Sequence, residues 1–239
     1  MQRNIWIRNI AIVILLLPCL TFVAKFSGPA LLRQYVELGI GNCQKIPIIC
    51  LSPETEIINP VINKRYLAEA LERKFPDMQL RIPKDFVVVK EHVTKIYYKK
   101  HPRKHRGATI YLLYEPPNFF VNLFPQAKKQ GIENDYQFIS RVMSAKISDI
   151  NNLTDMFFVI TKTIFTPNLG GQKNVKIVKF TINDKKGFIT YNLSRKENYF
   201  DCNIANDQGD FFKIYIKDKT AMLDLDKVLA IISTLKKGG

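Results

Sequence analysis

Hydrophobic and polar positions follow three rhythms along this chain. Residues 10–24 contain no charge, with Arg3 and Arg8 before them and Lys25 after. A positive flank ahead of a short apolar core is the layout of a secretory signal or a signal anchor. The positive-inside rule keeps the two arginines in the cytoplasm and sends the chain beyond Lys25 across the membrane. The run is 15 residues long. As a helix rising about 1.5 Å per residue, it falls short of a hydrocarbon core of about 30 Å. An uncleaved span would draw on Trp6 and the aliphatic stems of Arg8 and Lys25. Cleavage stays open. Phe22 occupies the outer small position near Ala24, Gly28-Pro-Ala30 is a second candidate, and Pro18 replaces the small residue a lipobox needs before Cys19. The alternative is a buried helix of a soluble domain.

The second rhythm is helical. Leu31, Leu32, Tyr35, Val36 and Leu38 predict a helix over 29–41, ended by Gly39 and Gly41. Asn59-Pro60 supplies an N-cap with proline at the first helical position, and predicts a helix to about Lys74 with Leu67, Ala70, Leu71 and Phe75 on one face. Asn134 or Asp135 caps another through about Ile147, turning Phe138, Ile139, Val142 and Met143 inward. Asp224 caps the last, with Leu225, Val228, Leu229, Ile232 and Leu235 at helical spacing.

From Met78 onward a period of two predicts strands around Leu80 and Ile82, then over 86–89, 93–98, 108–114 and 118–124. Further strands are expected over 156–165, 175–181, 188–193, 199–204 and 211–217, with turn residues at 183–187 and 206–209. Consecutive strands joined by short turns make an antiparallel sheet. The expected fold class is therefore α+β: an antiparallel β-sheet with packed helices behind an N-terminal membrane anchor or signal helix. The expected division is a signal anchor or signal peptide at 1–25, a neck at 26–59 with a helix and a candidate disulfide loop, and an extracytoplasmic α+β domain at 60–239.

Composition narrows the class further. With 46% apolar and 24% charged residues, the 239-residue chain is neither disordered, collagenous nor a coiled coil. Lys and Arg outnumber Asp and Glu by 36 to 21, a formal charge of +15, which favours anionic partners. Four cysteines are too few for a disulfide scaffold. Cys43 and Cys50 bracket a short loop, and an oxidising compartment would let them pair; two reduced buried thiols are the alternative. Cys202 shares a strand face with Phe200 and Ile204 and reads as an inert core residue.

Arg81-Ile-Pro-Lys-Asp-Phe86 resembles the IPxxW/F opening strand of the Mog1/PsbP-like fold. The strand expected over 119–124 ahead of a helix near Phe138, a late meander and the closing helix over 226–236 are similar to that fold in element order, across roughly residues 78–236. Phe86 stands where that family usually has tryptophan, and 99–106 is a basic insertion. The resemblance implies a binding or assembly accessory without conserved catalytic apparatus, and no functional residue is carried over from it.

Motifs for nucleotides, zinc hydrolysis or a nucleophile elbow are absent from the sequence. His101 and His105 have ligand spacing, but Pro102 and the neighbouring cations oppose a divalent ion. No cofactor and no metal is expected. One constellation stands out. Lys95, Lys99, Lys100, Arg103, Lys104 and Arg106 lie together without an acid, beside Tyr97 and Tyr98, where Pro102 and Gly107 suggest a hairpin tip. Such a tip can grip phosphates or carboxylates, or simply keep edge strands soluble. The expected function is a membrane-tethered, extracytoplasmic, non-enzymatic domain that binds a partner protein or an anionic lipid or glycan of the envelope. An exported hydrolase-like enzyme whose site forms only in the fold is the alternative. A cytosolic nucleic-acid binder comes third, because export removes the protein from nucleic acid.

Overall fold

A computed structural model of the chain describes residues 27–31, 34, 54–75, 77–84, 86–90, 94–98, 107–166 and 175–238. The chain divides into two compact units. One comprises residues 1–52 and 145–171, the other residues 53–144 and 172–239.

The larger unit is α+β and rich in antiparallel pairing. Its main sheet has eight strands: β1 (Thr55–Ile58), β4 (Phe86–Lys90), β5 (Thr94–Tyr98), β6 (Ala108–Glu115), β7 (Lys176–Ile182), β8 (Lys185–Asn192), β9 (Asn198–Asn206) and β10 (Phe211–Asp218). They are ordered β1-β7-β8-β9-β10-β6-β5-β4. β7 to β10 form a meander whose turns use the expected chemistry. Asn183 takes φ 52° between β7 and β8, and Gly209 takes φ 86° between β9 and β10. Gly187, expected in a turn, lies inside β8. A Cβ there would collide with the backbone oxygen of Asn203 on β9, so glycine is required by close strand approach. Thr55–Ile58, expected to lie in the neck at 26–59, form β1, which pairs in parallel with β7. A second sheet joins β2 (Ala70–Lys74), β3 (Met78–Pro83) and β11 (Lys236–Lys237), with β3 central.

The core lies between the main sheet and the elements over one face. Ile110, Leu112, Val178, Phe180, Ile189, Phe200, Cys202, Ile204, Phe212, Ile214 and Ile216 point into it from the strands. Leu80 and Ile82 of β3 and Val228, Leu229, Ile231 and Ile232 of α6 (Leu225–Ser233) close it. Burying each such side chain contributes about 1.5–3 kcal/mol. α6 begins as expected, with Asp224 Oδ1 accepting the Lys227 amide. Cys202 is fully buried, and that burial pushes its thiol well above the usual range.

Three expectations are overturned. The helix expected from Asn59 to Lys74 is only α1 (Lys64–Ala68), capped by Asn63 rather than Asn59. The following Ala-Leu-Glu-Arg-Lys, though helix-favouring, is β2, because Leu71 and Arg73 pair with Ile82 and Leu80 of β3. The strand expected over 118–124 is a short helix, α2 (Phe119–Leu123), continued by α3 (Pro125–Lys128). The amides of Phe119, Phe120 and Val121 donate to the carboxylate of Asp135 at 2.9–3.2 Å. Asp135 opens α4 (Asp135–Ser144), whose Phe138 stacks on Phe120 and Phe124. The strand expected over 156–165 is α5 (Leu153–Phe165), in the smaller unit. Its cap is Asn152, whose side chain accepts the amides of Thr154 and Asp155. A short apolar, β-branched run suits a buried helix as well as a strand.

In the smaller unit, residues 27–31 and 34 are helical, as expected within 29–41. Ile147–Asp149 makes a single 3-10 turn before α5. The Lys162 ammonium donates to Ala145 O at 3.1 Å, and Thr166 Oγ1 donates to Lys162 O, closing the helix end. Among the described residues no helix is long and apolar enough to cross a membrane, and the run 10–24 lies outside them.

Candidate functional site

At one end of the main sheet β4 and β6 start and β5 and β10 finish. Phe86, first in β4, pairs with Tyr98, last in β5. Ala108, first in β6, pairs with Asp218, last in β10. Next to these termini lies a cavity of about 330 Å³. Phe86, Ala108 and Leu223 are buried residues in its lining, Tyr66 and Pro83 are half-buried, and Met222 is 52% exposed. Arg65, Glu69, Lys84, Asp218 and Lys227 add charge.

Those charges differ in how far they are already engaged. Asp218 is buried, and its carboxylate accepts the amides of Thr220 and Leu223 and the hydroxyl of Thr220. It thereby folds the loop after β10, in which Ala221 is held at φ 54°. Lys227 is paired with Asp224 at 3.0 Å and donates to Met222 O at 2.6 Å. Arg65 and Lys84 are exposed and have no acidic partner among the described residues. Arg81-Ile-Pro-Lys-Asp-Phe86 runs from the end of β3 into β4 rather than along one strand. It places Ile82 and Phe86 in the core and Pro83, Lys84 and Phe86 on the cavity.

The basic constellation meets the structure at its roots. β5 and β6 are antiparallel neighbours, so the expected hairpin is present. Lys95 sits on β5 at the register position opposite Tyr111. Lys99, Lys100, Arg103, Lys104 and Arg106 lie outside the described residues, as do Cys43 and Cys50 and all three histidines. The chain leaves β5 at Tyr98 and re-enters the sheet at Ala108, which itself lines the cavity. No group of acids, histidines and cysteines suited to a metal occurs among the described residues.

A second polar cluster occupies the sheet face opposite α6. Along β9, Asp201 and Asn203 alternate with the core residues Phe200, Cys202 and Ile204. Thr190 of β8 stands opposite Asp201, and Lys213 of β10 opposite Asn203. Thr190, Asp201 and Asn203 are all at least 96% buried. Among the described residues, the Thr190 hydroxyl, both Asp201 oxygens and both polar atoms of the Asn203 amide find no hydrogen-bond partner. Lys213 Nζ lies 3.5 Å from Asp201 Oδ2, an ion pair without hydrogen-bond geometry. Burial pushes the Asp201 carboxyl up, and Lys213 offsets part of that. Beside the cluster, Tyr215 packs edge-on against Tyr111 and Tyr199 at centroid distances of 5.6 and 4.8 Å. These atoms are closed to solvent, whereas the cavity carries exposed charges at its lining, so the cavity is the candidate site.

Sequence reasoning found the hairpin but neither the cavity nor the buried trio. Arg65 and Lys84 are single cations 19 positions apart, and only the packing of α1 beside β3 brings them to one cavity. Compared with known proteins, the chain matches no family model, and no curated protein is significantly similar to it.

Proposed function

We propose that the chain is an exported, membrane-tethered binding domain, without catalysis, that recognises an anionic component of the envelope at the end of its main sheet where β4 and β6 start. The observation that carries this reading is the convergence of positive charge on an apolar-floored cavity. Arg65 and Lys84 stand there without acidic partners among the described residues. The segment 99–106, with five cations and no acid, starts and ends at the same end of the sheet. Such a field attracts anions and speeds their encounter. The export signal read in residues 1–25 supports the same reading.

The test uses full-length protein held in zwitterionic nanodiscs and offered fluorescent phosphatidylglycerol vesicles. Wild type should capture anionic vesicles but not neutral ones. Capture should weaken between low and moderate salt, because exposed charges are screened over about 8 Å at physiological ionic strength. Replacing Lys99, Lys100, Arg103, Lys104 and Arg106 with serine should abolish most of it, at about 1 kcal/mol per cation near a charged surface. Equal capture by the variant would sink the proposal. In cells, protein recovered soluble in the cytosol would remove the export half of it.

A further inference from the structure

We infer that the cavity beside Phe86 and Ala108 binds a small amphipathic anion, a carboxylate or phosphate head on a short hydrocarbon chain. This rests on the binding-domain reading and names its ligand. Three observations converge on that chemistry.

The first is the division of the lining. Phe86, Ala108 and Leu223 make an apolar interior, with Pro83 and the Tyr66 ring beside them, while the unengaged charges stand at exposed positions. Ligand sites combine an apolar body with a few fixed polar groups in this way.

The second is the balance of charge once internal pairing is removed. Asp218 is consumed by its loop and Lys227 by Asp224. Among the described residues, that leaves Arg65 and Lys84 against Glu69. An arginine fork accepts a carboxylate or phosphate through two parallel hydrogen bonds. A cationic head would meet two like charges.

The third is the shaping of the wall before any ligand arrives. Three hydrogen bonds to Asp218 and the Lys227 bond to Met222 O fix the loop 219–223. Ala221 is held in the left-handed region, a strained conformation that persists where the surroundings over-determine it, often at ligand clamps. The loop presents Met222, an apolar and adaptable side chain, half-exposed at the cavity. At about 330 Å³ the cavity is at the small end of ligand pockets, which run from about 300 to 1,000 Å³. That size suits a short chain and excludes a whole lipid.

The test is calorimetric titration of full-length protein in nanodiscs, with empty nanodiscs subtracted. Hexanoate and hexyl phosphate are the probes; acetate and hexylammonium are the controls. At least one hexyl anion should bind saturably, and the stronger of the two identifies the preferred head. Acetate and hexylammonium should bind at least tenfold more weakly. The double variant Arg65→Ala, Lys84→Ala should lose at least tenfold in affinity, and Met222→Gln several-fold, with melting temperatures unchanged because all three positions are exposed. The inference is overturned if neither hexyl anion binds, if hexylammonium binds as well, or if the double variant matches wild type. Absent hexyl binding alongside intact, salt-sensitive vesicle capture would overturn the ligand and leave the binding-domain reading standing.

Discussion

Lys237 Nζ donates to Asp210 Oδ1 across 2.9 Å, tying the last strand of the small sheet to the β9–β10 turn of the large one. The same carboxylate accepts the Tyr114 hydroxyl at 2.9 Å and the Asn206 amide at 3.1 Å. Burial would raise the Asp210 pKa, but hydrogen bonds from Lys237, Asn206 and Tyr114 outweigh it and hold the carboxyl below its ordinary value. A depressed folded pKa stabilises above the unfolded value, about 3.9, and that stabilisation is lost as pH falls through the folded value. Asp210→Ala should therefore cost about 1–3 kcal/mol near neutrality. In urea titrations the gap to wild type should narrow as pH drops below about 4. A gap that stays constant with pH would show that the carboxylate charge is irrelevant.

The buried trio makes the opposite prediction. Unsatisfied buried polar groups cost about 1–3 kcal/mol each, so Asn203→Leu and Thr190→Val should raise the denaturation midpoint. Asp201→Asn should also stabilise near neutrality, because the folded state raises the pKa of this carboxyl and so disfavours its charge. Its advantage over wild type should shrink as pH falls from the raised folded value toward about 3.9, where the wild-type carboxyl is protonated in both states. Destabilisation by all three substitutions would mean that ordered water or another group satisfies the trio.

Asp135 acts on a helix it does not belong to. Asp135→Ala removes the acceptor of three α2 amides and should cost about 1.5–3 kcal/mol, the range for hydrogen bonds to a charged group. Faster hydrogen exchange confined to 119–124 would mark the loss. Unchanged exchange there would contradict the capping role.

Gly187→Ala should be the most damaging small substitution in the main sheet. The added carbon meets backbone rather than a movable side chain, so the cost should reach about 1–3 kcal/mol or more. Thermal melts of this variant and of a control alanine at the exposed Gly131-adjacent position Gln130→Ala separate the steric effect from a general one.

How legible each element was in the sequence depended on where its signal resides. β7 to β10 and α6 carry their period and their turns or cap in adjacent residues, and those elements emerged within three positions. α2 has its cap at Asp135, beyond any local window, and its Phe-Phe-Val run suits a strand equally well. β2 has helix-forming residues and becomes a strand only because β3 lies beside it. The basic hairpin could be read because its cations are contiguous. The cavity could not, because its lining spans α1, the β3–β4 junction, β6 and the loop before α6. Asp201 and Asn203 gave the ordinary signature of a solvated sheet face, and nothing local announces their burial.

The parallel pairing of β1 with β7 bears on how the polypeptide is made. Thr55 is matched with Ile177 and Ile58 with Phe180. Roughly 120 residues separate the two strands, a long loop to close before the contact returns any energy. At a ribosomal pace of about 5–20 residues per second, β1 waits several seconds for its neighbour, with Ile58, which packs against the finished core, unshielded. The β7–β10 meander, by contrast, consists of nearest neighbours and can assemble as soon as it emerges. Docking of β1 is thus a late step in biogenesis, and the interval before it is the period in which a chaperone would have something to hold.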